Sequence, residues 1–238
     1  MIGSPYGDTY SMIYKTETHL HCAETSPCSS VGGAEFIRRY KEAGYTTVFV
    51  TDHYVGSSFN YCVTEEDYKK AIELQYRGYL SAKEEGDRLG VNVILGCEIY
   101  LNKCDRLIYG IDESFFYQRV EELTPSELFA QCNEKGYFLI AAHPYRGEMR
   151  HDMNDVHGIE VVNASQNHYH RNHNDLALAL AEAHPGHLRT SGSDAHFIED
   201  VGCGGIITEE PILSSADYLR ILKSGKYTVI NNPPQKNN

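Results

Sequence analysis

The 238-residue sequence lacks tryptophan and any long apolar run, and these absences exclude several classes of protein. A membrane-spanning helix needs roughly 20 consecutive apolar residues, and no segment approaches that length. Residues 1–14 also lack the basic start and apolar stretch of a secretory signal peptide. We therefore expect a cytoplasmic protein without a membrane partner.

Paired cysteine motifs are also missing. The chain has seven cysteines, an odd number, and no two of them are spaced as C-x-x-C. This pattern argues against a zinc ribbon and a thioredoxin-type site. Because a chain of this length can bury a sizeable core, it does not need a disulfide framework, and we expect reduced thiols.

Positive charge is scarce. Lysine and arginine number 21 against 33 acidic residues, which gives a formal net charge of −12. A surface this acidic repels nucleic-acid backbones, so we expect no nucleic-acid partner beyond a nucleotide or short oligonucleotide. A small phosphorylated substrate remains compatible with the charge if cations neutralise its binding site.

Strand-like apolar runs alternate with helix-like segments along the chain, as in βα units with a mainly parallel sheet. The run TTVFVT at 46–51 is β-branched and continuous, which is typical of a strand covered on both faces. Pro125 and Gly136 predict the start and the end of one helix. About seven such units predict an α/β protein with a single β/α-barrel domain over residues 1–230 and a disordered tail over 231–238.

Six of the apolar runs end in residues that can bind a metal or form a hydrogen bond. These residues are His19 with His21, Asp52 with His53, Glu98, His143, Asn163, and Asp194 with His196. In a parallel barrel the carboxyl ends of the strands share one mouth, where the active sites of such barrels lie. So many imidazoles and carboxylates are tolerated together only if cations bind them, and the sequence therefore predicts a metal centre.

The H-x-H motif has a geometric basis. Alternation along a strand sends His19 and His21 to the same face, while Leu20 points the other way. One segment thus supplies two ligands. Glu98 is then a natural bridging carboxylate, and Asp194 completes a first metal site.

Taken together, the motifs resemble the PHP (polymerase and histidinol phosphatase) family of metal-dependent phosphoesterases. The resemblance spans residues 14–207 and is carried by HLH at 19–21, TDH at 51–53, GCE at 96–98, AHP at 142–144 and GSDAH at 192–196. It implies a distorted, TIM-like (β/α)7 barrel. It also implies two or three divalent metal ions (Zn, Mn or Fe) that support hydrolysis of phosphate esters.

The resemblance assigns ligands motif by motif. It places the first metal on His19, His21, Glu98 and Asp194, the second on Glu98 and His143, and the third on His53 and His196. Two positions depart from the family pattern. No Asp or His follows HLH at the usual place, so Glu24 is predicted as the remaining ligand of the third metal. The remaining ligand of the second metal stays open among Asn163, His168, His170 and His173.

The implied chemistry is attack of a metal-bridging hydroxide on a small phosphomonoester or nucleotide-type phosphate. Glu98 and Asp194 are the predicted catalytic carboxylates. Arg146, three residues beyond His143, is predicted to clamp the phosphate, with a surface salt bridge as the alternative. Asp52 either orients a neighbouring ligand or caps backbone N–H groups.

Two other interpretations stay open. Metal-dependent amidohydrolases also place H-x-H on the first strand of a β/α barrel and an Asp near its last strand. A catalytically weak, metal-binding regulatory PHP module is the other, because the third site departs from the family pattern. The motifs select neither a particular substrate nor an oligomeric state.

Overall fold

A computed structural model describes residues 12–54, 65–166, 168 and 171–232. Its strands are β1 (Tyr14–Glu17), β2 (Tyr45–Val50), β3 (Asn92–Leu101), β4 (Cys104–Tyr109), β5 (Phe138–Ala141), β6 (Gly158–Asn163), β7 (Leu188–Gly192), β8 (Ile206–Thr208) and β9 (Thr228–Val229). Its helices are α1 (Gly33–Glu42), α2 (Glu65–Gln75), α3 (Arg77–Leu89), α4 (Pro125–Lys135), α5 (Asn174–Ala183) and α6 (Ser215–Ser224). Residues 233–238, most of the predicted tail, lie outside the described residues.

The strands form one sheet in the order β7-β6-β5-β4-β3-β2-β1-β8-β9. Strands β1, β2 and β3 are parallel to their neighbours in that trio, as are β5, β6 and β7. The two ends of the sheet nearly meet, because Ser191 Oγ on β7 donates to Ile230 O at 2.6 Å and accepts from Gly205 N at 3.3 Å. The predicted α/β class is confirmed, and the sheet is barrel-like.

The predicted count of about seven βα units is not confirmed by the sheet. Strand β4 runs antiparallel to both β3 and β5, and β8 runs antiparallel to β1. Asn102 and Lys103, with φ of 50° and 63°, join β3 directly to β4. A two-residue turn with positive φ at both positions is typical of a tight hairpin, which leaves no room for a helix between the two strands.

Local signals explain where the helices begin and end. Thr124 accepts a hydrogen bond from the backbone N–H of Glu127, and the Glu127 side chain accepts one from Thr124 in return, which forms a capping box at the start of α4. Gly136 ends this helix with φ of +76°. Helix α4 therefore has the bounds that the sequence predicted. Among the described residues, no helix combines the length and apolar character needed to cross a bilayer.

An aromatic cluster fills the interior of the sheet below the strand ends. The ring of Phe49 lies 5.2 Å from that of Tyr109 and 4.9 Å from that of Tyr218, and all three are buried. The Tyr109 hydroxyl donates to Thr18 O at 2.8 Å. Because Thr18 directly precedes His19, the aromatic core supports the segment that carries the H-x-H motif.

Candidate metal centre

The structure brings the H-x-H motif together with two carboxylates from distant strands. His19 Nε2 lies 3.1 Å from His21 Nε2, 3.3 Å from Glu98 Oε1 and 3.4 Å from Asp194 Oδ1. His21 Nε2 lies 3.2 Å from the same Asp194 oxygen. All four side chains are buried to at least 99%. These are the residues predicted to hold the first metal.

Glu98 lies at the centre of the cluster. Its Oε1 faces His19 and also His143, whose Nε2 is 3.1 Å away. Its Oε2 faces His21 Nε2 at 3.3 Å and His53 Nδ1 at 3.1 Å. One carboxylate therefore contacts four imidazoles, two through each oxygen, which is the arrangement that a bridging ligand requires.

A third group lies towards the mouth. Ligand atoms of His21, His53 and His196 lie within 4.8 Å of one another. His196 Nδ1 is 2.8 Å from Asp194 O, so the ring donates from Nδ1 and presents Nε2. The side chains of His53 and His196 are 19% and 14% exposed, which makes them more accessible than the other histidines of the cluster.

Asp105 belongs to the centre, although it was not among the predicted ligands. Its ligand oxygen lies within 4.8 Å of those of Glu98 and His143, and Asp105 Oδ2 is 3.9 Å from His143 Nε2. Burial and the negative charge of Glu98 raise the pKa of Asp105 to about 7. Ligands were predicted only at the carboxyl ends of strands, whereas antiparallel β4 presents its amino end at the same mouth. The sequence signal for this placement was the short stretch between GCE at 96–98 and the next apolar run at 107–111, which suits a hairpin.

Of the open candidates for the second metal, Asn163 lies beside Asp194, with Nδ2 3.2 Å from Asp194 Oδ2. Asn163 Oδ1 already accepts from Asn172 Nδ2 at 2.6 Å and from Arg146 Nη2 at 3.2 Å. His173 precedes α5 with φ of 48°, and His168 is half-buried. In the parts of the chain that the structure describes, neither His168 nor His173 belongs to a ligand group. His170 falls outside the described residues.

Glu24, the predicted extra ligand of the third metal, has another role. Both of its carboxylate oxygens accept from the backbone N–H of Gly33, at 3.0 and 3.1 Å. This N–H opens α1, where the positive end of the helix dipole favours a carboxylate. Glu24 joins no ligand group of the described residues, so the geometry does not support its prediction as a ligand.

Arg146 lies inside the site rather than on the surface. Its Nη2 donates to Asp194 Oδ2 at 2.5 Å, and its Nε donates to Asn172 Oδ1 at 2.8 Å. The side chain is 19% exposed, so the guanidinium also reaches solvent at the mouth. This position, beside a predicted ligand, differs from that of a surface salt bridge.

Two of the predicted ligands have a left-handed backbone. His143 follows β5 with φ of 27°, and Asp194 follows β7 with φ of 49°. Residues other than glycine rarely adopt this conformation, which costs about 1–3 kcal/mol and persists where surrounding contacts enforce it. The turn ends each strand abruptly and directs the side chain into the mouth.

Asp52 supports the H-x-H segment from behind. Its Oδ1 accepts from Cys22 N at 2.6 Å and from Ser26 Oγ at 2.7 Å. Ser26 Oγ in turn accepts from His53 N at 3.1 Å and lies 3.5 Å from His21 Nδ1. Asp52 thus caps the backbone and, through Ser26, contacts a predicted ligand. Burial raises its pKa to about 6.

The charges of the cluster explain why cations fit there. Burial would lower the pKa of His19, but the carboxylates of Asp194, Glu160 and Glu98 outweigh it and raise that pKa well above its usual value. Burial also opposes ionisation of Glu98, yet His19 and His143 hold its pKa well below the ordinary range. Glu98 and Asp194 thus stay ionised and need compensating positive charge. Divalent transition metals suit this mixed set of imidazole and carboxylate donors.

Comparison with known proteins finds one matching family model and several solved structures of similar fold. The family model described as PHP-associated matches residues 171–227. No curated protein matches the chain significantly in sequence. The fold is similar to that of PsfC from Pseudomonas syringae PB-5123, with a TM-score of 0.60, 21% identity and 87% of each chain covered.

Two further solved structures share the fold. A two-domain protein from Bacteroides vulgatus ATCC 8482, described as containing a PHP-like metal-dependent phosphoesterase, is 16% identical with a TM-score of 0.62, over 93% of this chain and 65% of that chain. An amidohydrolase from Chromobacterium violaceum with bound sulfate is 16% identical with a TM-score of 0.55, over 94% and 99% of the two chains. The family model and the shared fold confirm the resemblance to the PHP family that the sequence motifs predicted.

Proposed function

We propose that the protein is a metal-dependent phosphoesterase that hydrolyses a small phosphomonoester or nucleotide-type phosphate. The observation that carries the proposal is the convergence of four imidazoles on the two oxygens of Glu98, at 3.1–3.3 Å, in the mouth of the sheet. A buried carboxylate surrounded in this way has the contacts of a ligand shared between metal ions. The PHP-like neighbour supports the same class of reaction.

The described residues form four overlapping groups of possible ligands, which we combine into three places for a metal. The first would use His19, His21, Glu98 and Asp194, the second Glu98, Asp105 and His143, and the third His53 and His196 beside His21. Two or three divalent ions such as Zn, Mn or Fe would supply a water of lowered pKa and neutralise phosphoryl oxygens. Glu98 holds the first two places in a fixed relation because it contributes one side chain to both.

Arg146 provides the positive group for substrate binding. Its Nε and Nη2 already donate to Asn172, Asn163 and Asp194, so Nη1 is the nitrogen that would donate to a phosphate oxygen. Its side chain is 19% exposed, as is that of His53, whereas His19, His21 and Glu98 are buried. The substrate therefore approaches from the side of Arg146 and His53. The amidohydrolase of similar fold from Chromobacterium violaceum binds sulfate, and sulfate is a tetrahedral anion like the phosphate group proposed as substrate here.

The test is a metal-dependent assay. Protein stripped with a chelator and reloaded with Mn, Zn or Fe is assayed on p-nitrophenyl phosphate and a panel of phosphomonoesters. We expect turnover only after reloading, and loss of that turnover in His19→Ala and Asp194→Ala. Wild-type protein inactive with every metal, or either variant retaining full activity, would reject the proposal.

An amidohydrolase is the second candidate, because one neighbour of similar fold carries that description. The same reloaded protein, assayed on a matched panel of amides, separates the two. Turnover of amides in preference to phosphate esters would favour the amidohydrolase. Metal binding without turnover on either panel would favour a regulatory metal-binding module.

A further inference from the structure

A second buried carboxylate lies directly behind the metal centre. Glu160, in β6, is fully buried, and it pairs with no lysine or arginine among the described residues. Its contacts are His19 Nδ1 at 2.9 Å, His143 N at 2.9 Å and Asn163 Nδ2 at 3.0 Å. Burying a carboxylate is costly unless hydrogen bonds compensate for lost water, and here two of the three contacts are made with predicted metal ligands.

The contact with His19 determines which nitrogen faces the centre. A neutral imidazole carries a proton on one nitrogen and a lone pair on the other. If Nδ1–H donates to Glu160 Oε1, the lone pair is on Nε2. That nitrogen lies 3.3 Å from Glu98 Oε1 and 3.4 Å from Asp194 Oδ1. Glu160 therefore holds the ring in the tautomer and orientation that a metal at the first place requires.

The contact with His143 acts on the backbone. His143 has φ of 27°, and its backbone N–H donates to Glu160 Oε2. This hydrogen bond stabilises the left-handed turn that brings His143 Nε2 to 3.1 Å from Glu98 Oε1. One carboxylate thus links a ligand that follows β1 with a ligand that follows β5.

Close packing keeps this arrangement rigid. A Cβ atom added at Gly192 would lie 2.4 Å from His19 Cβ and 2.9 Å from Glu160 Oε1. There is therefore no space for the Glu160 carboxylate or the His19 ring to retreat on that side.

From these contacts we propose that Glu160 is a positioning residue, which fixes the tautomer of His19 and the backbone of His143 for metal binding. The inference rests on the proposed metal-dependent function. Glu160 itself is proposed to contact neither substrate nor metal. A carboxylate that bonds the second nitrogen of a metal-ligating histidine typically changes metal affinity by roughly 10–100-fold when it is removed.

The chain offers a matched control in Glu17. Glu17 is also fully buried, and it accepts the backbone N–H of His19 at 2.9 Å, but it contacts no ligand side chain. Its Oε2 faces only the hydroxyls of Tyr40 and Ser193, which can reverse their hydrogen bonds towards an amide. Glu17→Gln is therefore accommodated, whereas the single acceptor oxygen in Glu160→Gln cannot serve both His19 and His143.

The experiment titrates Co²⁺ into wild type, Glu160→Gln and Glu17→Gln and follows the visible absorption of the bound ion. We expect Glu160→Gln to bind roughly 10–100-fold more weakly, with an altered spectrum, and Glu17→Gln to match wild type. In Zn²⁺-loaded wild type, nitrogen-correlated NMR should show a slowly exchanging Nδ1–H on His19 and coordination through Nε2. This second readout needs no variant to fold.

The outcomes are separable. Equal affinity and spectra in wild type and Glu160→Gln, or coordination of His19 through Nδ1, would overturn the positioning role while leaving the metal site intact. Wild type that binds no Co²⁺ would overturn the metal site and the positioning role together. Equal weakening in both variants would mean that loss of a buried charge, rather than loss of the His19 contact, is responsible.

Discussion

At the scale of single residues, the centre depends on a few side chains that each contact several others. Glu98 touches His19, His21, His53 and His143, which come from three separate segments of the chain. These segments are far apart along the chain, so only the fold brings them together. Their convergence on one carboxylate makes that residue the most sensitive position in the centre.

We predict that Glu98→Gln loses metal and activity together. The amide keeps the size of the side chain but removes the charge that the imidazoles and cations require, so metal affinity should fall at least about tenfold. Metal content after dialysis measures the effect. Glu24→Gln is the control, because Glu24 bonds Gly33 at the start of α1 and should keep its metal while losing about 0.5 kcal/mol of stability. Equal metal loss in both variants would restore Glu24 as a ligand.

Gly192→Ala should disturb the centre through packing. The new methyl group would lie 2.4 Å from His19 Cβ, so the His19 segment must shift, at a cost of about 1–3 kcal/mol for overpacking. Thermal unfolding and Co²⁺ titration should show a lower melting temperature and weaker binding. Gly186→Ala is the matched control, since a Cβ there meets no atom within 4 Å. A Gly192→Ala protein as stable as the control would contradict the steric argument.

At the scale of elements, strand direction decides which residues reach the mouth. The parallel strands bring the residues that follow them, such as His143 after β5, to one edge of the sheet. Antiparallel β4 instead brings the residue near its start, Asp105, to the same edge. The hairpin that replaces a βα unit therefore also contributes a ligand atom.

We predict that Asp105→Asn weakens the second metal place selectively. The variant removes a carboxylate near Glu98 and His143 but leaves the contacts of His19 and His21 with Asp194 in place. Metal analysis should show fewer ions per chain than in wild type, with the first place still filled. Asp112→Asn, which alters an exposed cap on Ser114, is the control and should keep the wild-type stoichiometry. An unchanged number of metal ions per chain in Asp105→Asn would exclude Asp105 as a ligand.

At the scale of the whole molecule, an acidic chain buries carboxylates together in one site, and positive charge must balance them there. Without cations, protons on His19 and His21 balance the buried carboxylates, because the pKa values of both imidazoles are raised. Burial opposes protonation of His21, but hydrogen bonds to Asp194 and Glu98 raise its pKa to about 9. Metal ions must displace these protons before they bind.

This exchange predicts opposite pH trends with and without metal. Since His21 has a folded-state pKa of about 9 and an unfolded value near 6.5, its stabilising contribution is complete below pH 6.5 and lost as pH rises to about 9. Chelator-treated protein should therefore melt at lower temperature at pH 9 than at pH 6.5. The increase in melting temperature on adding Zn²⁺ or Mn²⁺ should grow over the same range. A metal effect that shrinks as pH rises would contradict proton displacement.

Much of the architecture followed from local patterns. The bounds of α4 were predictable because Thr124, Pro125 and Gly136 specify them without tertiary contacts. The buried run of β2 was predictable from its continuous β-branched composition. The antiparallel pairing of β8 with β1 was not, because a local pattern does not reveal which distant strand lies beside it.

The sequence by itself determined the α/β class and the set of side chains at strand ends, because periodicity and strand-end position are local properties of the chain. Tertiary structure alone decided that Asp105 joins the centre, that Glu24 caps α1, and that Glu160 supports His19. These outcomes depend on strand direction and on contacts between residues as much as 141 positions apart. A local pattern carries no information about which distant backbone will lie beside it, so only the folded sheet assigns those partners.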